Sequence, residues 1–126
     1  MTSALTWFEI PSADFDRAVD FYSTVIGKPL HKQDFNGVPN GIFPYEQGKG
    51  IGGSVVFSEE YTPSAESFII YLDAESEANL DAMLTRIESA GGKVLMPKTH
   101  IGVPGHIALF MDTEGNRVGL NAQPQS

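Results

Sequence analysis

The feature that most constrains the fold of this chain is a strand–helix–strands pattern that occurs twice within its 126 residues. In the first copy, Trp7–Ile10 is a predicted strand that stops at Pro11. Ser12 and Asp14 are candidate helix caps, and Gly27 is the predicted helix end. The apolar face of this helix, spaced by three and four residues, consists of Ala18, Val19, Phe21, Tyr22, Val25 and Ile26. Extended segments are predicted near Pro29–Phe35, Gly41–Tyr45 and Ile51–Phe57.

The second copy begins about 60–65 residues later, as expected of a repeated supersecondary unit. Ser67–Asp73 is its predicted strand, Ser76 its candidate helix cap, and Gly91-Gly92 its predicted helix end. The apolar helix face consists of Leu80, Met83, Leu84 and Ile87, and further strands are expected near Lys93–Met96, His106–Met111 and Arg117–Asn121. The polar segment Glu59–Glu66 joins the copies and is too short to separate two domains. We therefore predict an α+β fold of two βαβββ modules, about 4–58 and 66–122, forming a curved mixed sheet in a single domain over residues 1–126.

Composition excludes several classes of function. Sixteen acidic and eight basic residues give a net charge of −8, which disfavours nucleic-acid binding because that binding needs cations to replace counterions. The chain has no cysteine, so disulfides, thiolate metal sites and Cys nucleophiles are excluded. We find no signal-peptide pattern, and no apolar run approaches the roughly 20 residues that span a bilayer. We therefore expect a cytoplasmic protein without nucleic-acid or membrane partners.

Strand alternation divides the predicted strands into two faces, because successive side chains point to opposite sides of a sheet. In the first strand Phe8 and Ile10 are predicted to pack under the helix, with Trp7 and Glu9 on the opposite face. The second module repeats this division. Its helix-facing residues are Ile70, Leu72, Val118 and Leu120, and its opposite face carries Ile69, Tyr71, Asp73, Arg117, Gly119 and Asn121. The sequence thus predicts a ligand cleft with aromatic, acidic and small residues on its walls.

Several motifs resemble one known family. Trp7–Pro11, Asp14–Ala18 and Phe21-Tyr22 look like its first strand, helix cap and aromatic pair, Ala90–Lys98 matches its second helix end, and Asp112–Val118 looks like its final turn and strand. On these motifs the chain resembles the glyoxalase/bleomycin-resistance protein/dioxygenase group of the vicinal oxygen chelate superfamily. The resemblance implies this fold and a homodimer that completes the cleft. It leaves the reaction open, since the superfamily contains lyases, isomerases, dioxygenases and proteins that only sequester a ligand.

The turn at Asp112–Asn116 also has a local physical explanation. Asp112 is expected to accept hydrogen bonds from backbone N–H groups ahead of it, and Gly115 to supply a positive φ. We therefore predict that this turn is structural.

The resemblance also implies a divalent metal held by His, Glu or Gln side chains. At the four matching positions this sequence has Trp7, Gly52, Ile69 and Gly119, none of which ligates through its side chain. We therefore expect no family-type metal and no cofactor. The remaining possibility for a divalent metal is a clip of His100 and His106, which flank a Gly- and Pro-containing loop and would need a carboxylate such as Glu9 or Asp112.

The candidate site residues lie on the helix-distal face. Glu9, beside Trp7, is the candidate catalytic residue, as a general base, and is equally placed to anchor a cationic ligand. The candidate ligand-binding residues are Trp7, Glu9, Tyr45, Gly52, Ser54, Ile69, Tyr71, Gly119 and Asn121. Acidic residues near element ends, such as Glu59, Glu60, Glu75 and Glu77, are expected to be solvated surface, and Lys98–Gly105 to be a connector or a lid.

Three functions fit these expectations. The first is a metal-free protein that binds or sequesters a small organic molecule. The second is an isomerase- or lyase-type enzyme related to lactoylglutathione lyase, with Glu9 as base or with an atypical metal site. The third is a module that associates with a partner chain and has a vestigial cleft.

Overall fold

A computed structural model of the chain describes residues 4–124, so residues 1–3 and 125–126 of the predicted domain lie outside the described part. Its elements in chain order are β1 (Trp7–Pro11), α1 (Phe15–Ile26), β2 (His31–Phe35), β3 (Val38–Ile42), β4 (Gly52–Val56), β5 (Tyr71–Asp73), α2 (Glu77–Ser89), β6 (Lys93–His100), β7 (His106–Met111) and β8 (Arg117–Ala122). Neither helix is long and apolar enough to cross a membrane. The predicted α+β class with two βαβββ modules is confirmed.

Each module builds its own four-stranded mixed sheet. The strand order is β1-β4-β3-β2 in the first sheet and β5-β8-β7-β6 in the second. In both, the first strand of the module pairs in parallel with the last, and the remaining neighbours are antiparallel. The two sheets therefore have the same topology, as the sequence repeat predicts.

Strand β6 runs four residues beyond its predicted end at Met96, to His100, and two other strands differ in position or length. The third strand of the first module, β3, is Val38–Ile42, whereas the sequence predicted this strand at Gly41–Tyr45. In the second module only Tyr71–Asp73 of the predicted Ser67–Asp73 strand pairs as a strand. These differences arise because pairing with a distant strand, which local composition does not encode, decides where a strand begins and ends.

Local chemistry explains the helix boundaries. Asp14 caps α1 by accepting a hydrogen bond from the Arg17 N–H at 3.1 Å, and Ser76 caps α2 by accepting one from the Asn79 N–H. Ser12, the other predicted cap, is buried, and its hydroxyl donates to the Val56 carbonyl at 2.8 Å. The helix starts were thus predictable, although only one of the two proposed caps performs that role in α1.

The two modules share one hydrophobic core. Phe21 of α1 packs against Phe110 of β7, with ring centroids 6.0 Å apart, and Tyr22 packs against the same Phe110 ring at 6.3 Å. The core includes helix-facing residues from both modules, such as Ile10, Leu72, Val118 and Leu120, with Phe8 and Ile70 packed at its edge. The face assignments made from strand alternation are therefore confirmed.

The turn between β7 and β8 is structural, as predicted. The Asp112 carboxylate accepts hydrogen bonds from the backbone N–H groups of Glu114 and Asn116 at 2.9 and 2.8 Å. Gly115 has a φ of 93°. The buried Tyr22 hydroxyl also donates to Asp112 at 2.6 Å, so the turn is tied directly to α1. Burial, followed by the nearby Asp112 charge, raises the pKa of Tyr22 well above its ordinary value.

Candidate functional site

A groove of about 510 Å³ lies on the face of the first sheet that is turned away from α1. It is lined by Trp7, Glu9, Phe35, Val38, Asn40, Ser58, Glu60 and Tyr61. The groove is partly open to solvent and is formed by three strands and the segment after β4. It contains the two residues, Trp7 and Glu9, that sequence analysis placed first among the site candidates.

Strand pairing explains how residues distant in sequence meet in this groove. Glu9 of β1 pairs with Ser54 of β4, which in turn pairs with Ile42 of β3. Because side chains alternate along a strand, Asn40 and Val38 share the face of Ile42. Phe35 pairs with Val38 and so extends this face onto β2. The groove thus crosses the first sheet from β1 to β2.

The linker between the modules forms the remaining wall. Its start is folded into a tight turn, in which the Tyr61 N–H donates to the Ser58 carbonyl at 3.1 Å and the Glu60 N–H donates to the Ser58 hydroxyl at 3.2 Å. Glu60 was predicted to be plain solvated surface. It is indeed exposed, but it also lines the groove, so that prediction was incomplete.

A buried polar pair supports the middle of the sheet. Ser54 has no exposed surface, and its hydroxyl donates to the Asn40 side-chain oxygen at 2.7 Å. The Asn40 amide nitrogen donates to the Val38 carbonyl at 3.0 Å. Because its hydroxyl is committed to Asn40, Ser54 orients a groove residue and does not itself line the groove.

Tyr45 and Gly52 extend the aromatic side of the same face. Gly52 pairs with Trp7, and a side chain at Gly52 would come within 2.6 Å of the Tyr45 ring. Glycine therefore lets Tyr45 lie directly on the sheet. The Tyr45 ring meets Trp7 edge to face, with centroids 5.7 Å apart. Tyr45 and Gly52 were both candidates, and the structure places them beside the groove, although neither of these two lines it.

The other four candidates lie in the second module, away from this groove. Tyr71 of β5 pairs with Gly119 of β8 and covers it, so Tyr71 and not Ile69 is the partner of that glycine. Ile69 is half-buried just before β5. The Asn121 amide donates to the backbone carbonyls of Pro104 and His106, which is a structural role in holding the β6–β7 hairpin.

The positions where the family would carry metal ligands do not fit a metal. Trp7 pairs with Gly52 in the first sheet, and in the second sheet Gly119 pairs with Tyr71, while Ile69, the position predicted from the sequence, lies just before β5. Indole, phenol and glycine do not form the His and carboxylate set that divalent metals require in such sites. Within residues 4–124, no group of three or more His, Asp or Glu side chains is placed to hold a metal ion.

The histidine pair has a different environment from the one predicted. His100 and His106 pair across the hairpin with ring centroids 5.0 Å apart. The carboxylate beside them is Glu77, 3.7 Å from His106 Nε2, and not Glu9 or Asp112. Glu77 is already paired with Lys98 at 2.8 Å, a contact that lowers the pKa of Glu77. The carboxylate nearest to the histidine pair is therefore already paired with a lysine. Lys98–His100 belong to β6, so the predicted lid is a hairpin turn at 101–105.

Sequence analysis missed most of the groove lining. The missed residues are Phe35, Val38, Asn40, Ser58, Glu60 and Tyr61. Alternation along β3 would have identified Val38 and Asn40 if that strand had been placed at 38–42. Nothing local to the linker predicts that Ser58, Glu60 and Tyr61 fold against the sheet.

The chain matches a family model along most of its length. A model of the Glyoxalase/Bleomycin resistance protein/Dioxygenase superfamily aligns with residues 4–120. The chain belongs to this superfamily. A glyoxylase-like domain-containing protein from Didymella fabae is 31% identical over 132 residues and is matched over 95% of this chain and 94% of its own length. The resemblance inferred from the motifs is thus confirmed.

Other relatives support the fold of this superfamily member. The CFP32 protein of Mycobacterium tuberculosis, whose name calls it a glyoxylase only provisionally, is 28% identical over 116 residues. The match covers 90% of this chain but only 43% of that protein, so this chain spans less than half of it. A glyoxalase/bleomycin resistance protein from Albidiferax ferrireducens superposes with a TM-score of 0.75 at 15% identity, over 97% of this chain and all of that one. A maize glyoxalase I variant gives 0.66 at 20% identity, over 94% of this chain and 45% of that one.

Proposed function

We propose that this glyoxalase-superfamily chain binds a small organic molecule in the groove of its first module, without the metal centre typical of the family. The observation that carries the proposal is the groove itself. Its volume of about 510 Å³ lies within the range of about 300–1,000 Å³ that is usual for small-molecule sites. The residue chemistry at the metal-ligand positions supports the metal-free part of the proposal.

The lining suits a ligand that is partly apolar. Trp7, Phe35 and Val38 offer apolar surface, while Glu9 and Asn40 offer acceptors and donors at defined positions. Small-molecule sites commonly combine an apolar wall with a few fixed polar groups, since the wall supplies affinity and the polar groups supply orientation. Asn40 is well fixed for this role because it is hydrogen-bonded to Ser54 and to its own strand.

The single tryptophan provides a direct test, because Trp7 lines the groove. Titration with aromatic amines, acids and alcohols should change Trp7 fluorescence for at least one class. The Val38→Phe variant fills the groove and should weaken that binding by about tenfold or more, since a ring replaces ligand volume. Val103→Phe makes the same change at an exposed position and should leave binding unaltered. Equal binding by both variants would contradict the proposal.

A second function is favoured by the position of Glu9. Its carboxylate lines the groove and, within residues 4–124, makes no hydrogen bond or ion pair. An unpaired carboxylate beside a bound carbonyl compound can remove a proton, as a lyase or isomerase related to lactoylglutathione lyase would require. In this alternative the ligand binds in the same groove, and Glu9 then acts on it as a general base.

Lactoylglutathione turnover by the purified protein separates binding from catalysis. If Glu9 is the base, Glu9→Gln should lower kcat by about a hundredfold to ten-thousandfold while Trp7 still responds to the ligand. Glu59→Gln, which removes a nearby carboxylate outside the groove, should leave kcat unchanged. A wild-type protein without turnover argues for binding alone, whereas a Glu9→Gln variant as active as the wild type would rule out Glu9 as the base.

We also propose that the chain forms a homodimer. The outer face of the second sheet carries apolar side chains that are not fully covered: Tyr71 on the edge strand β5 is 45% exposed, and Leu109 and Met111 on β7 are half-buried. These side chains point away from the shared core, because their neighbours Ala108 and Phe110 are buried in it. A second copy would cover this surface, and the family resemblance supports such pairing.

A further inference from the structure

The charged side chains that line the groove indicate what charge its ligand carries. Among the described residues 4–124, the charged side chains that line the groove are Glu9 and Glu60, and both are acidic. They belong to separate walls, one on β1 and one in the linker. We propose that the ligand is an organic cation, an amine or quaternary ammonium group on an apolar body. This proposal rests on the groove being the ligand site.

No cation of the protein neutralises these two carboxylates. In the described residues neither Glu9 nor Glu60 takes part in an ion pair, whereas the cations Arg17, Lys32, Lys49 and Lys98 each have an acidic partner. On the first sheet, for example, Lys32 pairs with Asp16 at 3.0 Å on the helix side, opposite the groove. With the net charge of −8, the groove presents an uncompensated negative potential that attracts cations and repels anions.

The aromatic walls favour the same ligand class. Trp7, Phe35 and Tyr61 come from three different segments and line the same groove as the two carboxylates. The face of an aromatic ring attracts a cation through its quadrupole, and Trp does so most strongly. Ammonium groups with methyl substituents gain most, because they are weakly hydrated and also bury apolar surface. Aromatic rings and carboxylates together therefore favour an organic cation over a neutral or anionic ligand of the same size.

Three compounds with one phenyl ring and different charges test this assignment: phenethyltrimethylammonium, hydrocinnamate and hydrocinnamyl alcohol. Binding is measured on the full chain by Trp7 fluorescence and by ligand-observed NMR. The cation should bind about tenfold or more tightly than the alcohol, and hydrocinnamate should bind most weakly. Raising the salt concentration should weaken binding of the cation and leave binding of the alcohol nearly constant.

Charge-neutral variants locate the effect. Glu9→Gln and Glu60→Gln should each weaken binding of the cation by about threefold, and the double variant by about tenfold, because each removes one partly exposed charge. Glu59→Gln is the matched control, since it removes a neighbouring exposed charge outside the groove. Binding of the alcohol, which carries no charge, should weaken less than binding of the cation in the Glu9 and Glu60 variants and should be unchanged in Glu59→Gln, which shows that the groove is intact.

The outcomes distinguish the cation assignment from the groove itself. If the alcohol or hydrocinnamate binds as tightly as the cation, and Val38→Phe blocks that binding, the groove is a ligand site and the cation assignment is wrong. If Glu59→Gln weakens binding of the cation as much as Glu60→Gln does, the specific carboxylates are not responsible and the assignment is again wrong. If none of the three compounds binds at millimolar concentration, the proposed function fails with it.

Discussion

Glu114 shows how one residue of the second module shapes the first. Its side chain is fully buried, and its oxygens accept hydrogen bonds from the N–H groups of Ala13 and Asp14 at 2.9 and 2.7 Å. The Arg17 guanidinium donates to the same carboxylate at 2.8 Å. Burial raises the pKa of Glu114, but the hydrogen bonds from Arg17, Asp14, Thr113 and Ala13 together outweigh burial and place the pKa below its ordinary value.

This environment predicts a pH dependence of stability. Because the folded-state pKa of Glu114 lies below the ordinary value of about 4.5, its ionised form stabilises the fold above that pH. The contribution is lost as the pH falls through the folded-state pKa. Glu114→Gln should lower the free energy of unfolding at neutral pH by roughly 1–3 kcal/mol, and the difference from wild type should shrink below about pH 4. Urea unfolding at several pH values measures this.

The control for this experiment is Glu59→Gln, an exposed carboxylate without an ion pair in residues 4–124. It should change the free energy of unfolding by less than about 0.5 kcal/mol at every pH. A Glu114→Gln deficit that stayed constant down to acidic pH would show that the ionised carboxylate is not the source of the stabilisation.

Among the elements, the linker has the least obvious role. Its Ser64 N–H donates to the Asn116 side-chain oxygen at 2.9 Å, and the Asn116 amide donates to the Pro11 carbonyl at 2.7 Å. The turn of the second module therefore holds both the end of β1 and the linker. Since β1 and the linker both line the groove, the second module positions the site without lining it.

How much of the structure could be predicted from the sequence depends on how local each interaction is. Both helices were predicted well, because the caps at Asp14 and Ser76 and the spacing of apolar residues act within a few residues. Trp7 and Glu9 were placed on the correct face by alternation alone. Glu60 and Tyr61 were not predicted to line a groove, because the path of the linker depends on distant contacts such as Ser64 with Asn116.

At the scale of the whole molecule, the shared core supports the proposal of a single domain. Phe21 and Tyr22 of the first module both contact Phe110 of the second, and Leu120 is completely buried in the same cluster. With one core, the modules should unfold together. The proposed homodimer would couple this unfolding to association of two copies.

One experiment tests both whole-molecule proposals. Leu120→Ala should destabilise the protein by about 2–5 kcal/mol through the cavity it leaves in the core. If the modules form one domain, this change in the second module should lower the midpoint of thermal unfolding seen by Trp7 in the first. For a dimer, the wild-type midpoint should also rise with protein concentration.

Val103→Ala, at a site that is 91% exposed, is the control for the core substitution and should leave the midpoint nearly unchanged. If the midpoint of thermal unfolding reported by Trp7 were the same in Leu120→Ala as in the wild type, the proposal of a single domain would be contradicted. A midpoint independent of concentration, together with sedimentation at the mass of one chain, would contradict the dimer.

The contact between Arg17 and Glu114 sets a condition for recombining halves of this chain with halves of its relatives. A chimera joined within 59–66 would take the start of α1 from one parent and the acceptor for its free N–H groups from the other. Arginine and glutamate at these two positions must therefore be exchanged together. The two modules have the same topology, yet the segment that leads into the first helix is held by a carboxylate of the second module.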